Sequence, residues 1–167
     1  MTEDFSRLYR EMCGEPQISY QRLQEILRAM RMAGECNDQL FEAIQENYAA
    51  HNWRCLGLLV GIIHWNPDPR FTPILCDLLD NHKAHVSAED IADTLDYIQD
   101  ARAVPSLIRS LDYYEPGDED RNLNKKIIHA LANIGNDEAI EGLRLAAQNP
   151  DEQIRITAER ELARLKR

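Results

Sequence analysis

The sequence predicts an all-α protein, folded as a right-handed α-solenoid of about five helix pairs. Three observations lead to this prediction. Apolar residues recur at spacings of three and four, which is the helical period, and no segment shows the alternation of a strand. Only 7 Gly and 7 Pro interrupt the 167 residues, and most of them fall between helix-like stretches. The helix-like stretches also recur in pairs, at intervals of 32 to 37 residues.

The apolar periodicity predicts ten helices. In chain order they cover residues 3–13, 18–33, 38–50, 53–65, 70–80, 87–98, 101–112, 121–134, 137–148 and 151–166. Ser87 is the expected N-cap of the sixth predicted helix, because two acids follow it in the first turn. Asp151, after Pro150, is the expected cap of the last one. The basic residues at the end of that helix suit a helix C-terminus.

Three units align when the chain from residue 68 onward is divided at 68–100, 100–137 and 137–167. Each unit begins with Asp, has an apolar residue at the fourth place, and carries Pro or Gly at the sixth. The equivalent residues at that sixth place are Pro73, Pro105 and Gly142. The second helices align at two core positions, which are occupied by Ile91, Ile127 and Ala158 and by Leu95, Leu131 and Leu162. A helix pair cannot bury its apolar stripe alone, so such pairs stack into one long core.

These segments, DARAVPSLIRSL, ALANIGND and NPDEQIRITAERELARL, resemble the HEAT-repeat family in its short, bilin-lyase-like form. The resemblance covers 68–167 and implies a solenoid whose second helices line a concave binding surface. Upstream, 41–68 is interpreted as another helix pair and 3–33 as a divergent first pair. We therefore expect residues 1–167 to form a single HEAT-like domain. The family pattern specifies the fold far better than it specifies a function.

The charge is concentrated in the middle of the chain. There are 29 acidic and 19 basic residues, for a net charge of −10. Residues 68–120 hold 13 acids and 4 bases, a net charge of −9, whereas 121–167 has a net charge of +2. Nucleic-acid backbones and anionic membrane surfaces require a basic footprint, so neither is an expected ligand. A basic protein is the partner that this charge favours.

Two acidic clusters carry most of that charge. On the helix at 87–98, Asp90, Asp93 and Tyr97 share one outward stripe, because Ile91 and Leu95 take the buried side. The second cluster is the loop 112–121, an insertion relative to the other repeats. We predict a partner-binding surface formed by Asp90, Asp93, Tyr97, Tyr114, Glu115, Asp118, Glu119 and Asp120, with His129 and Asn133 as neighbours. Acids would steer a basic partner and tyrosines would supply buried area, although solvated solenoid faces also carry charge.

No pattern in the sequence predicts catalysis, a cofactor or a metal. His82 and His85 are three residues apart in a predicted loop, but no third ligand lies near them. Gly-rich phosphate loops are absent. Trp65 is expected to pack where a repeat turns rather than to contact a ligand. Gly57 and Gly61, four residues apart, are expected to allow close helix packing.

The cysteines predict a reduced, cytoplasmic protein. Cys13, Cys36, Cys55 and Cys76 form no CxxC pair, so we expect four free thiols and no structural disulfide. Cys55 and Cys76 stand among apolar residues and are predicted to pack in the core. The charged N-terminus has no signal-peptide core, and no apolar run approaches the length of a bilayer span.

The function predicted from these features is non-catalytic protein binding. In its sharpest form the chain resembles immunity proteins, which would bind and neutralise a cognate basic, nuclease-type bacterial toxin by covering its active site with an acidic surface. Two alternatives remain open. One is a cytosolic scaffold or adaptor, and the other is an accessory protein similar to bilin lyases, for which no chromophore-binding residue can be matched.

Overall fold

A computed structural model gives the fold. It describes residues 3–14, 19, 21–22, 25–26, 28–29, 37–65, 67–81, 86–113 and 117–166. The helices are α1 (Glu3–Cys13), α2 (Asn37–Ala49), α3 (Trp53–Ile63), α4 (Thr72–Asn81), α5 (Ala88–Ile98), α6 (Val104–Ser110), α7 (Asn122–Ile134), α8 (Asp137–Ala146) and α9 (Glu152–Leu165). Described positions between 21 and 29 are also helical, and the described residues contain no strand. The all-α prediction is confirmed.

The helices pair and stack as an α-solenoid. The pairs are α2 with α3, α4 with α5, α6 with α7, and α8 with α9. The first helices α4, α6 and α8 contact one another in one layer. The second helices α3, α5, α7 and α9 contact one another in a second layer, and among the described helices the contact between α5 and α7 is the most extensive.

The core register of the second helices follows the aligned sequence positions. Ile91, Ile127 and Leu131 are essentially inaccessible to solvent, as are Leu95 and Ala158 in the same register. Leu162, at the remaining aligned position, is partly buried and packs against the core. The predicted helix starts are also confirmed. Ser87 Oγ accepts a hydrogen bond from the Asp90 amide at 3.1 Å, and Asp151 caps α9.

An Asp-x-Arg pattern connects successive repeats. Asp68 and Asp100 each cap a short 3₁₀ turn, which Pro69–Phe71 and Ala101–Ala103 form before α4 and α6. In each case the arginine two residues later donates to the capping carboxylate. The same arginines reach back one repeat: Arg70 donates to Asp38 at 2.6 Å, and Arg102 donates to the Pro69 carbonyl at 2.7 Å. These bonds join each of the two helix pairs to the one before it.

Gly142 permits close packing between the first helices. A Cβ atom at this position would lie 2.8 Å from Cγ1 of Ile108. That distance is too short for ordinary carbon contact, so a side chain at residue 142 would require Ile108 or the helix α8 to shift. The structure thus explains why this repeat carries glycine where the two preceding units carry proline.

The expectation of four free thiols is wrong for one pair. Cys13 of α1 and Cys55 of α3 form a disulfide, with Cα atoms 5.2 Å apart. The cysteines are 42 residues apart in sequence, and the packing of α1 on α3 brings them together. Cys55 is buried, as predicted. Cys76 is free and partly buried, and burial raises the pKa of its thiol, whereas Cys36 lies outside the described residues.

Within the part of the chain that the structure describes, no helix is both long enough and apolar enough to cross a bilayer.

Candidate functional site

The candidate site lies on the layer of second helices, whose exposed surface we call the inner face. On α5 the buried side is taken by Ile91 and Leu95, so Asp90 and Tyr97 are exposed, as the sequence predicts, and Asp93 is partly exposed. Tyr97 is 57% exposed, an unusual fraction for a large aromatic side chain. The stripe predicted on α5 therefore forms.

Asp93 already has a basic partner within the protein. Lys126 of α7 donates to the Asp93 carboxylate at 2.7 Å, and its Nζ lies 3.4 Å from Glu89. Burial acts to lower the pKa of Lys126, but the hydrogen bond and charge of Asp93, together with Glu89, outweigh it and raise that pKa above its ordinary value. The ammonium is firmly charged and neutralises part of this acidic stripe.

His129 and Asn133 are held by the next repeat. Nδ1 of His129 lies 3.2 Å from Oε1 of Glu161, which is only 5% exposed. The amide oxygen of Asn133 accepts a hydrogen bond from Arg164 at 3.0 Å. The sequence placed His129 and Asn133 beside the stripe but gave no indication of these two partners on α9. Their spacing of 31 to 32 residues from His129 and Asn133, close to the repeat length, could have suggested them.

The acidic loop contributes less than the sequence predicts. Asp118 is only 8% exposed, and its carboxylate accepts hydrogen bonds from the amides of Asn122 at 2.8 Å and Leu123 at 3.0 Å. It therefore caps α7 rather than facing solvent. Glu119 and Asp120 are exposed at the edge where α7 and α9 begin. The predicted residues Tyr114 and Glu115 lie outside the described part of the loop.

A pocket opens on the inner face between the end of α3 and the start of α5. It has a volume of about 280 Å³. Its lining residues are Gly61, His64, Trp65, Asp90, Asp93 and Thr94. The Asp90 carboxylate forms no ion pair with any residue that the structure describes. Two of the acids predicted to bind a partner thus lie in one cavity.

Aromatic rings form one side of this pocket. The His64 ring makes edge-on contacts with Trp65, at a centroid distance of 4.9 Å, and with Tyr97, at 4.2 Å. Trp65 is 48% exposed, so the expectation that it mainly packs at the repeat turn is only partly met. The expected close packing at Gly61 is wrong, since a Cβ there would meet nothing within 4 Å. The alignment is loose around α3, and so the sequence did not reveal this pocket.

Comparison with protein families identifies the repeats. The family model described as HEAT repeats matches residues 72–163, more than half of the chain. The chain belongs to the HEAT-repeat family. HEAT repeats commonly mediate protein–protein interaction and are generally non-catalytic. A search of curated proteins found no match to this HEAT-repeat chain.

The chemistry available to this HEAT-repeat protein on its inner face is binding. Carboxylates, exposed aromatic rings and a shallow cavity suit recognition of a cationic group. Among the described residues, no group of three or more His, Cys, Asp or Glu side chains could hold a metal ion. His82 and His85 lie outside those residues.

Proposed function

We propose that this protein is a non-catalytic binding module that captures a basic protein on its inner face. In its specific form, it is an immunity protein that neutralises a basic, nuclease-type bacterial toxin by covering the toxin's active site. The observation that carries the proposal is the exposed Asp90 carboxylate, which shares a pocket with the exposed ring of Trp65, while the exposed Tyr97 lies further along the same helix α5. Protein interfaces combine aromatic anchors with complementary charge in this way.

The distribution of charge supports a basic partner. Residues 68–120 have a net charge of −9, and their helix α5 lies in the middle of the inner face. Within this face, Lys126 takes up part of the charge of Asp93, so Asp90 is the acid most open to a partner. Glu119 and Asp120 extend the acidic surface along the edge of the same layer. A surface of this sign would steer a basic protein and repel nucleic acids and anionic membranes.

A cytoplasmic location is part of the immunity proposal. The disulfide between Cys13 and Cys55 bears directly on it, because structural disulfides are rare in a reducing cytoplasm. If the protein taken directly from cells contains this disulfide, it would bind the toxin in an oxidising compartment rather than in the cytoplasm. The proposed binding mechanism would be the same.

The experiment begins by purifying the partner from the native cells and identifying it. Binding is then measured by calorimetry at low and physiological salt for the wild type, Asp90→Lys and a matched control, Glu46→Lys. Glu46 is exposed on α2, outside the layer of second helices, and its reversal changes the net charge equally. We expect Asp90→Lys to weaken binding about tenfold or more, with a larger effect at low salt, and Glu46→Lys to bind almost as the wild type does.

The outcomes separate the general proposal from its specific form. An acidic partner, or equal affinities of the two reversal variants, would overturn capture through the inner face. If a basic partner is captured but an equimolar amount of this protein leaves its nuclease activity intact, the immunity role is wrong and the protein is a scaffold for that partner.

A further inference from the structure

We infer that the pocket between α3 and α5 receives a single arginine side chain of the partner, with the guanidinium against the Trp65 ring and paired with Asp90. This inference rests on the proposed function, since it names the group that the inner face recognises. Three features support it: the size of the pocket, its charge, and the nature of its walls.

The pocket is the size of a side chain. Its volume of about 280 Å³ is far above the roughly 30 Å³ that one water molecule occupies. It is just below the range of about 300–1,000 Å³ typical of sites for drug-sized ligands. The cavity is also open to solvent at the inner face, so a side chain projecting from a docked protein can enter it.

The charge around the pocket selects a cation. Glu89, Asp90 and Asp93 supply three carboxylates, and Lys126 supplies the one ammonium that contacts two of them, which leaves a net charge of −2. Lys126 is held by Asp93, so Asp90 carries the charge that no described residue compensates. An anionic ligand would meet repulsion here, whereas a cation would complete the pairing that the fold leaves open.

The walls favour arginine over lysine. A guanidinium is planar, stacks on aromatic faces and can pair with both oxygens of a carboxylate, whereas an ammonium is compact and strongly hydrated. Trp65 provides an exposed indole within the lining, and the adjacent His64 and Tyr97 rings hold that corner in place through their edge-on contacts. Asp90 lines the same cavity. An aromatic ring and a carboxylate that line one cavity suit a flat, charged, weakly hydrated group.

Gly61 lines the pocket without a side chain. It lies on α3 within the lining, and a Cβ atom there would meet nothing within 4 Å. A side chain at this position would therefore extend into empty space rather than into the core. This makes Gly61→Leu a variant that fills the pocket without removing any of its charged or aromatic groups.

The test is an NMR titration of the ¹⁵N-labelled full chain with N-acetyl-arginine N-methylamide, following the Trp65 indole and the backbone amides of Asp90 and Thr94. The matched probe is the citrulline analogue, which has nearly the same shape but no charge. We expect saturable shifts for the arginine probe, with a dissociation constant of about 1–10 mM. The citrulline probe should bind at least about tenfold more weakly.

The variants locate the site. Asp90→Asn and Gly61→Leu should each weaken binding of the arginine probe about tenfold or more, whereas Glu46→Gln, at an exposed acid on α2 outside the pocket, should leave it unchanged. The Trp53 indole signal reports whether each variant is folded. Asp90→Asn, at an exposed position, decides the question if Gly61→Leu is not folded. Equal binding of the two probes, or shifts that Asp90→Asn leaves unchanged, would overturn the arginine pocket.

The arginine pocket and the protein-binding role of the inner face can be tested separately. If the arginine probe does not bind selectively but Asp90→Lys still weakens capture of the protein partner, the inner face binds through dispersed charge and not through an inserted arginine. If the probe binds selectively while the reversal variants capture the partner equally, the pocket is a cation site separate from the protein interface.

Discussion

Asn133 of α7 donates a hydrogen bond to the Asp96 carboxylate of α5 at 2.8 Å, across the boundary between two repeats. Asp96 is partly buried, and this burial raises the pKa of its carboxyl above the ordinary value. The hydrogen bond from Asn133 lowers the pKa but does not cancel the effect of burial. Among nearby charges, Asp93 raises the pKa further, and His129 and Arg164 lower it. The inner face therefore holds a carboxylate that folding makes harder to ionise.

This raised pKa predicts how stability depends on pH. Because the folded state binds the Asp96 proton more tightly than the unfolded state does, the stabilising contribution is present below the ordinary pKa and is lost as pH rises through the raised pKa. Asp96→Asn carries no charge at any pH and can still accept from Asn133. We expect the variant to be more stable than the wild type in urea unfolding at neutral pH, and the difference to shrink towards pH about 3. A variant less stable at neutral pH, or a difference independent of pH, would contradict the assignment.

The disulfide between Cys13 and Cys55 predicts a measurable loss of stability on reduction. The bond joins residues 42 apart, and constraining a loop of that length in the unfolded chain stabilises a protein by about 4 kcal/mol in the chain-entropy model. Alkylation without reductant, followed by mass spectrometry, should label two fewer thiols than alkylation after reduction. Cys13→Ser should unfold at the same urea concentration with and without reductant. Labelling of all four cysteines in the freshly purified native protein would show that the bond is absent.

We expect the Asp118 cap of α7 to contribute measurably to the free energy of unfolding. Its carboxylate accepts from two amides at the start of α7, while Arg121 in the N-cap position makes no side-chain cap bond. Removing such a cap costs about 1 kcal/mol, with a range of about 0.5–2, so Asp118→Ala should lower the free energy of unfolding by that amount. The nearby exposed Asp120→Ala should change it by less than about 0.5 kcal/mol. Equal effects of the two variants would mean that Asp118 acts as a surface acid.

Two equivalent helix ends predict substitutions with opposite effects. Gln99 ends α5 with φ of 53°, and Gly135 ends α7 with φ of 64°, both in the left-handed region. This conformation costs a residue with a Cβ about 1–2 kcal/mol, a cost that glycine avoids. We expect Gln99→Gly to raise the free energy of unfolding by up to about 1 kcal/mol, and Gly135→Ala to lower it by about 1 kcal/mol. Urea unfolding measures both, and effects of the same sign would refute the equivalence.

The regular part of the fold was predictable because its information is local and repeated. The 32- to 37-residue period placed Ile91, Ile127 and Leu131 in the core, and the Ser87 cap is specified by residues within one helical turn. The disulfide was not predictable in the same way. Cys13 belongs to α1, upstream of the aligned units, so no repeat position indicated that it would meet Cys55.

The candidate site was predictable in part for a related reason. Alignment of the second helices placed Asp93 near His129 and Asn133 but did not show that Lys126 pairs with it. Trp65 and Gly61 line one pocket with Asp90 because α3 packs against α5, and neither helix alone encodes that contact. The sequence identified the loop 112–121 as an insertion. It did not show that Asp118 turns inward to cap α7 while Glu119 and Asp120 remain exposed.

The backward reach of Arg70 and Arg102 has an evolutionary consequence. Each arginine is positioned by an aspartate of its own repeat and donates a hydrogen bond to an oxygen of the preceding repeat. The later repeat therefore supplies the donors of the polar joint, that is, of the hydrogen bonds between the two repeats. A duplicated segment that starts at the aspartate brings its joint with it and meets a compatible surface on its predecessor. A segment cut inside the Asp-x-Arg turn would lose both the cap and the joint. At these two junctions the repeating unit therefore runs from one capping aspartate to the next, whereas Asn136 caps the first helix of the following repeat.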